Sequence, residues 1–279
     1  MPQTMKTILI TGCSSGIGHA VAHGLQDRGW RVFATCRAAE DCARLESEGL
    51  ESFPLDYDNV ESIAAAVSET LSRSGGRLNA VFNNGAFGIP GLLEDLPTDA
   101  LRAIFETNFF GQHELTRRVI PAMREQGHGR ILMNSSVLGF VGLTWRGAYN
   151  STKFAMEGWA DTLRQELHGT NIHVSLIEPG PVASEIRRKS IPHFEKWIDA
   201  AASARASEYE TRLKPRLYKS DTVRDRFELP ASAVTDVVER ALTSTNPRPR
   251  YRITTPTKAI YLVKRLVTTR TLDRILRRA

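Results

Sequence analysis

Short apolar runs alternate with longer stretches in which apolar residues recur at helical spacing. Residues 6–11 (Lys-Thr-Ile-Leu-Ile-Thr) form one such run, and residues 31–36, 51–55, 79–82, 130–135, 172–177 and 250–254 form six more. Each is short and β-rich enough to read as a buried strand. The intervening segments predict helices from the glycines after Thr11 to Gly29, over 60–73, over 100–124 with a break at Pro121, from Tyr149 onward, and over 230–243, where Pro230 suits a first turn. Strand and helix in alternation imply a parallel sheet with helices on both faces.

Two stretches depart from this rhythm. Between 185 and 229, Ile186, Ile191, Phe194, Trp197, Ile198, Tyr209, Leu217, Tyr218 and Phe227 are interspersed with charges. This segment follows the sixth strand, at the carboxyl edge where open α/β sheets bind ligands, and is expected to form a helical lid over an apolar pocket. Residues 255–279 run past the seventh strand as an amphipathic extension. Its apolar face carries Ile260, Leu262, Val263, Leu266 and Val267, and its polar face Lys264, Arg265, Arg270, Arg274, Arg277 and Arg278. No linker or low-complexity run divides the chain. One domain is therefore expected: a core at 5–184 and 230–254, a lid at 185–229 and a basic extension at 255–279.

The composition, 41% hydrophobic and 24% charged over 279 residues, is that of an ordinary soluble globular protein. The start is too short in apolar residues for a secretory signal, and no run approaches the ~20 apolar residues of a membrane span. The net charge of +6 is lopsided: residues 246–279 hold ten Lys/Arg against Asp273 alone, so the rest of the chain carries −3. No stacking aromatics interleave with those charges, and nucleic-acid binding is not expected. A basic amphipathic helix suits either packing beside a pocket entrance or peripheral contact with an anionic membrane surface. The cysteines, Cys13, Cys36 and Cys42, lack metal-ligand spacing; they fit free thiols in the cytoplasm, and no metal is expected.

The first strand empties into Gly12-Cys-Ser-Ser-Gly16-Ile-Gly18 and then a helix. Strand, glycine turn and helix N-terminus is the context of a dinucleotide loop, where bare backbone approaches a pyrophosphate. In such Rossmann halves an acid ending the second strand selects NAD, whereas a nearby Arg accommodates a 2′-phosphate. Here Cys36 is followed by Arg37, which reads as NADP preference. Asp56, ending the third strand, suits the adenine amino group or a cap on the helix starting near Asn59. Asn108 sits in a helical stretch that gives Asn no propensity reason to be there.

Tyr149 and Lys153 lie four apart on a helix-compatible segment and share one face. A phenol titrates near ~10, and a fixed cation beside it favours the phenolate. Ser136, thirteen positions earlier, supplies a hydroxyl; that spacing selects it over Ser135. Pro179-Gly180-Pro181 fixes a rigid turn after the sixth strand.

With these motifs in this order, residues 5–254 resemble the classical short-chain dehydrogenase/reductases. The branch resembled is that of retinol and hydroxysteroid dehydrogenases and bacterial NADPH-dependent aldehyde reductases. The resemblance implies a single-domain Rossmann fold with a seven-stranded doubly wound parallel sheet. It implies an NADP(H)-linked oxidoreductase (EC 1.1.1.-) acting on an apolar aldehyde, ketone or alcohol, usually as a homodimer or homotetramer. Tyr149 would protonate the carbonyl oxygen, Lys153 lower its pKa and hold the nicotinamide ribose, Ser136 bond the carbonyl oxygen, and Asn108 anchor a water leading to Lys153. The cofactor would be held by Gly12, Ser14, Ser15, Gly16, Ile17, Gly18, Arg37, Asp56, Asn84, Gly85, Tyr149, Lys153, Pro179, Gly180, Val182 and Ser184. Phe87, Leu138, Trp145, Phe194 and Trp197 are expected to line the substrate pocket. Two departures stand out. The usual Asn-Asn-Ala-Gly is Asn83-Asn84-Gly85-Ala86, whose methyl at 86 is expected to crowd the nucleoside, and Ser184 replaces a Thr. An alternative reading is an NADP(H)-binding regulator with little chemistry, and another is a membrane-surface dehydrogenase.

Overall fold

The computed structural model describes residues 5–220 and 227–277. Seven strands, β1 (Thr7–Thr11), β2 (Arg31–Cys36), β3 (Glu51–Pro54), β4 (Ala80–Asn83), β5 (Gly129–Asn134), β6 (Ile172–Glu178) and β7 (Arg250–Arg252), form one parallel sheet in the order β3-β2-β1-β4-β5-β6-β7. The chain builds outward from β1 to β3, then restarts on the other side of β1 at β4. The crevice above β1 and β4 is thus the switch point at which such sheets bind ligands.

Side chains alternate along each strand, so each feeds two cores. Ile8 and Ile10 of β1 pack on one face with Val21 and Leu25 of α1 (Gly16–Gln26). Leu9 faces the other side and joins a core with α3 (Val60–Ser74), α5 (Gly111–Glu125) and α6 (Gly147–Glu166), among them Ile63, Leu115, Val119 and Met156. α2 (Ala39–Ser47), absent from the sequence reading, buries only Cys42 and Leu45 of a largely polar run, which explains its weak signal. α11 (Ser232–Thr243) completes the α1 face through Val234 and Val238.

Strand ends shift by one or two residues from expectation, β7 most, stopping at Arg252 instead of 254. The expected break at Pro121 does not occur. α5 runs through it, with Pro121 on the exposed face of the helix. The irregularity falls earlier. The predicted 100–124 helix is α4 (Thr98–Phe105), a wide π-turn over Glu106–Phe110, then α5. Asn108, fully buried, occupies that turn.

The segment after β6 is a string of short helices: α7 (Ile186–Lys189), α8 (Ile191–Trp197), α9 (Ala206–Glu208), a π-turn at Tyr209–Leu213 and α10 (Lys214–Leu217). Its two roots are zipped together, Ala183 N–H donating to Leu229 O (2.9 Å) and Leu229 N–H to Pro181 O (3.1 Å). The extension forms α12 (Thr255–Leu266) and α13 (Thr269–Leu276). Lys264 donates to Phe140 O and Tyr261 meets Phe140 edge-on, so α12 packs beside the loop after β5. Leu262 and Leu266 face outward, the latter 83% exposed. Arg278 lies outside the described residues. No helix among those described is long and apolar enough to cross a membrane.

Candidate active site

The carboxyl edge of the sheet opens into a cavity of about 890 Å³, near the top of the ~300–1,000 Å³ range of ligand pockets. One end is the glycine loop. Gly12 and Gly16 hold φ of +67° and +58°, a region that β-carbons disfavour. A Cβ at Gly12 would lie 2.6 Å from the Gly85 backbone, and one at Gly18 only 2.3 Å from Gly12 O. The first βα turn and the turn after β4 therefore touch backbone to backbone. Asn84 laces them, its Nδ2 donating to Thr11 O (2.9 Å) and Gly12 O (3.2 Å) while its Oδ1 accepts from Asn134 Nδ2 (2.8 Å).

A buried polar chain lies beneath. The Tyr57 hydroxyl donates to Asn83 Oδ1 (2.9 Å) and lies 2.7 Å from Thr11 Oγ1, which accepts from the Asn84 and Gly85 N–H groups. A Cβ at Gly85 would meet the Tyr57 ring at 3.1 Å. Here is the physical reason for the Gly85-Ala86 order: the bonded tyrosine fills the space that an alanine at 85 would need. The Ala86 methyl lies on the cavity wall.

Arg37, at the end of β2, is exposed on the cavity wall and pairs with no carboxylate among the described residues. Asp56 also lines the cavity, but the cap on α3 is Asn59, which accepts from Ser62 N–H (2.8 Å); Asp56 Oδ1 accepts from Asp58 N–H (3.1 Å). Of the other expected cofactor residues, Gly12, Ser14, Ser15, Gly16, Ile17, Asn84, Gly85, Pro179, Gly180, Val182 and Ser184 border the cavity, and Gly18 lies behind the loop. The wall carries seven Lys/Arg against four Asp/Glu, a balance suited to an anionic ligand.

Tyr149, Lys153 and Ser136 also line the cavity. Lys153 is 1% exposed; its Nζ lies 5.4 Å from the Tyr149 ring centre and donates to Asn134 O (2.6 Å). Burial pulls its pKa down to about 7, against a smaller upward pull from Glu157. Burial raises the Tyr149 phenol, and the charge opposing that rise is Arg146. Ser136 accepts from Leu138 N–H (3.1 Å), capping a short 3₁₀ turn and keeping its own proton for the cavity. Ser135 is buried and donates to Glu157 Oε1 (2.5 Å), so of the two serines Ser136 is the one with a hydroxyl to offer.

Asn108 lies behind this wall, clamped to the Phe87 main chain: its Nδ2 donates to Phe87 O (2.8 Å) and its Oδ1 accepts from Phe87 N–H (3.0 Å). That bond fixes the loop leaving β4.

The expected pocket aromatics divide. Phe87 and Leu138 border the cavity. Trp145, Phe194 and Trp197 do not; this corrects the sequence expectation. Phe194 is 3% exposed inside an apolar cluster with Ile89, Leu92, Ile104 and Tyr209, and the two tryptophans pack against it. They anchor the covering segment from below. Helical spacing distinguishes buried from exposed but not which buried space a ring fills.

Sequence reading missed Lys189 and His193. Lys189 reaches from α7 to the glycine loop, its Nζ donating to Ser15 Oγ (2.7 Å) and Ser14 Oγ (3.1 Å). His193 of α8 stacks on Phe87 at 4.1 Å between ring centres. Both act across more than a hundred residues, where no local pattern points.

Residues 6–194 match the family model described as short chain dehydrogenase. The chain is 38% identical over 271 residues to the Escherichia coli K12 protein "Uncharacterized oxidoreductase YbbO", covering 97% of this chain and 94% of that one. It is 36% identical over 200 residues to bovine "Retinol dehydrogenase 8", covering 68% of this chain and 63% of the relative. A solved short-chain dehydrogenase from Streptomyces avermitilis superposes with a TM-score of 0.78 at 25% identity, covering 95% and 93% of the two chains. Folds of the same kind have been captured with NAD, in a Burkholderia phymatum protein (TM-score 0.78, 24% identity, 94% and 92% covered), and with NADP, in one from Burkholderia cenocepacia (0.74, 22%, 98% and 98%).

Proposed function

The chain belongs to the short-chain dehydrogenase family, on its retinol dehydrogenase-like branch, and from that premise we propose that it is an NADP(H)-dependent oxidoreductase interconverting an apolar aldehyde or ketone and its alcohol. One observation carries the reading: Tyr149, Ser136 and Lys153 line one cavity together with Arg37, which pairs with no carboxylate among the described residues. The residues fit the cofactor, since the glycine loop opens bare backbone at Gly12 and Gly16 onto the cavity and the described wall residues carry more Lys/Arg than Asp/Glu. When bound, NADPH supplies the hydride.

The protein's part is proton delivery and orientation. The Tyr149 hydroxyl protonates the substrate oxygen as negative charge develops there, and the Ser136 hydroxyl donates to the same oxygen. Lys153, held by Asn134 O, keeps a cation against the phenol's face and holds the ribose hydroxyls. With its amide committed to Phe87, Asn108 acts through the π-turn, a feature that recurs at functional sites and frees main-chain groups to hold a water. Gly12–Gly18 and Ser184 cradle the nucleotide, and Arg37 takes the 2′-phosphate. The segment 185–229 acts as the lid, with Phe87 and Leu138 offering the apolar wall. The small-molecule substrate enters past Phe140 and α12, and the assembly is a homo-oligomer, as is common in the family.

The test is a panel of aliphatic and aromatic carbonyls with NADPH and NADH. Turnover with NADPH should fall by ~10²–10⁴-fold in Tyr149→Phe while cofactor binding persists. Full activity in that variant would refute the assigned acid. NADPH binding without turnover on any carbonyl would favour a regulator.

A further inference from the structure

On the outer face of α1, away from the cavity, three groups converge that the oxidoreductase reading does not use. His19 and His23 are one helical turn apart, and each Nε2 lies 2.8 Å from the same oxygen, Oε2 of Glu48, at the end of α2. The three ligand atoms all fall within 4.8 Å of one another. All three side chains are about one-third exposed, so the cluster is open to solvent yet not loose.

We propose that His19, His23 and Glu48 form a binding site for a divalent first-row transition ion of the Zn²⁺ type. Two imidazoles at i and i+4 present their nitrogens on one helix face. Two imidazoles and one carboxylate, with a fourth position open to water, make a common zinc donor set, and a poor one for Mg²⁺ or Ca²⁺, which call for oxygen ligands. Tetrahedral zinc with bonds of ~2.0–2.2 Å separates its ligand atoms by roughly 3.3–3.5 Å. Each His–Glu48 separation therefore has to open by about half an ångström, and the two imidazole nitrogens, within 4.8 Å of each other, settle at the same spacing; surface side chains do so by small rotations.

The outer shell is already in place. Arg44 Nη1 donates to Glu48 Oε1 (2.6 Å), which fixes the carboxylate and leaves Oε2 for the ion. Asp41 Oδ1 accepts from Arg44 Nη2 (3.2 Å) and offsets its charge. The same Nη2 donates to Ser14 O (2.8 Å), so one side chain joins the site to the glycine loop. An ion here would staple α1 to α2, the two helices flanking Arg37.

The experiment is isothermal titration of untagged protein with ZnCl₂ at pH 7.5, with Co²⁺ as the spectroscopic probe. One equivalent should bind, with Co²⁺ d–d bands and no sulfur charge-transfer band. Binding should weaken by about a hundredfold or more in His19→Ala/His23→Ala, beyond the cost of losing an outer-shell partner. Glu48→Gln should weaken it as well. Far-ultraviolet circular dichroism confirms that the variants fold; these are surface positions. Absence of binding at millimolar Zn²⁺, a sulfur charge-transfer band, or undiminished affinity in the double variant would each overturn the proposal.

Discussion

The floor and the cover of the cavity are built on different principles. The floor is a buried polar lattice: Lys153 on Asn134, Asn134 on Asn84, Asn84 on Thr11 and Gly12, Thr11 on Tyr57, and Tyr57 on Asn83. Each member is fixed by neighbours that water cannot replace, and breaking one strands another. The cover is five short helical pieces rooted at 181–183 and 229 and anchored through Phe194 and Tyr209. Its grip on the glycine loop is at the surface, Lys189 on Ser14 and Ser15, and the pairs Arg188–Glu185 and Tyr218–Glu195 are exposed contacts within the cover itself. Exposed contacts of this kind are each worth ~0–1 kcal/mol. The chemistry is thus held where displacement is costly, and the segment that meets the substrate is held where displacement is cheap.

The sharpest way to break this comparison is through Lys153. Its folded pKa of about 7 lies below the ~10.4 of an unfolded lysine, so between those values the unfolded chain binds the extra proton. Stability contributed by this site therefore rises with pH, by up to about tenfold in the folding constant per unit from 7 towards ~10.4. Denaturant midpoints measured across pH 7–10 should rise with pH more steeply in the wild type than in Lys153→Met, which keeps only the contribution of the other groups. A parallel rise in both proteins would mean that the floor does not strain its cation. Next in size is Arg37→Ala. Losing a charge-assisted bond of ~1.5–3 kcal/mol should cut kcat/KM for NADPH about ten- to a hundredfold and leave NADH nearly unchanged. Equal losses would remove the NADP preference. The smallest effect belongs to the cover. Lys189→Ala should raise KM about two- to fivefold for NADPH and NADH alike, in line with an exposed contact. A loss as large as that of Arg37→Ala would place Lys189 among the fixed parts of the site.

The same division explains what could be read from the residues alone. The central strands were legible because a strand buried on both faces is nearly continuously apolar, while the edge strands β3 and β7, only partly buried, carried a weaker signal. Tyr149, Lys153 and Ser136 stood out through their spacing within the β5–α6 unit, and the glycine turn through its place between β1 and α1. Asn108 was legible as an oddity, a buried amide in helix, though not as a clamp on Phe87 inside a π-turn. Phe194 and Trp197 were placed in the wrong space because the cover has no period to orient them, and Trp145 because it sits in the irregular loop before α6. Lys189, and the meeting of Glu48 with the histidine pair, depend on contacts made only after distant segments pack.

The contact between Tyr57 and Gly85 has an evolutionary consequence. A Cβ at 85 would press on the Tyr57 ring at 3.1 Å, so the two positions constrain each other as a pair. A chain carrying Tyr57 that drifts to the commoner Ala-Gly order at 85–86 has to shift the ring by a few tenths of an ångström. Among relatives, a smaller residue at the position of Tyr57 should accompany alanine at the position of Gly85, and libraries that vary this turn should exchange both sites together.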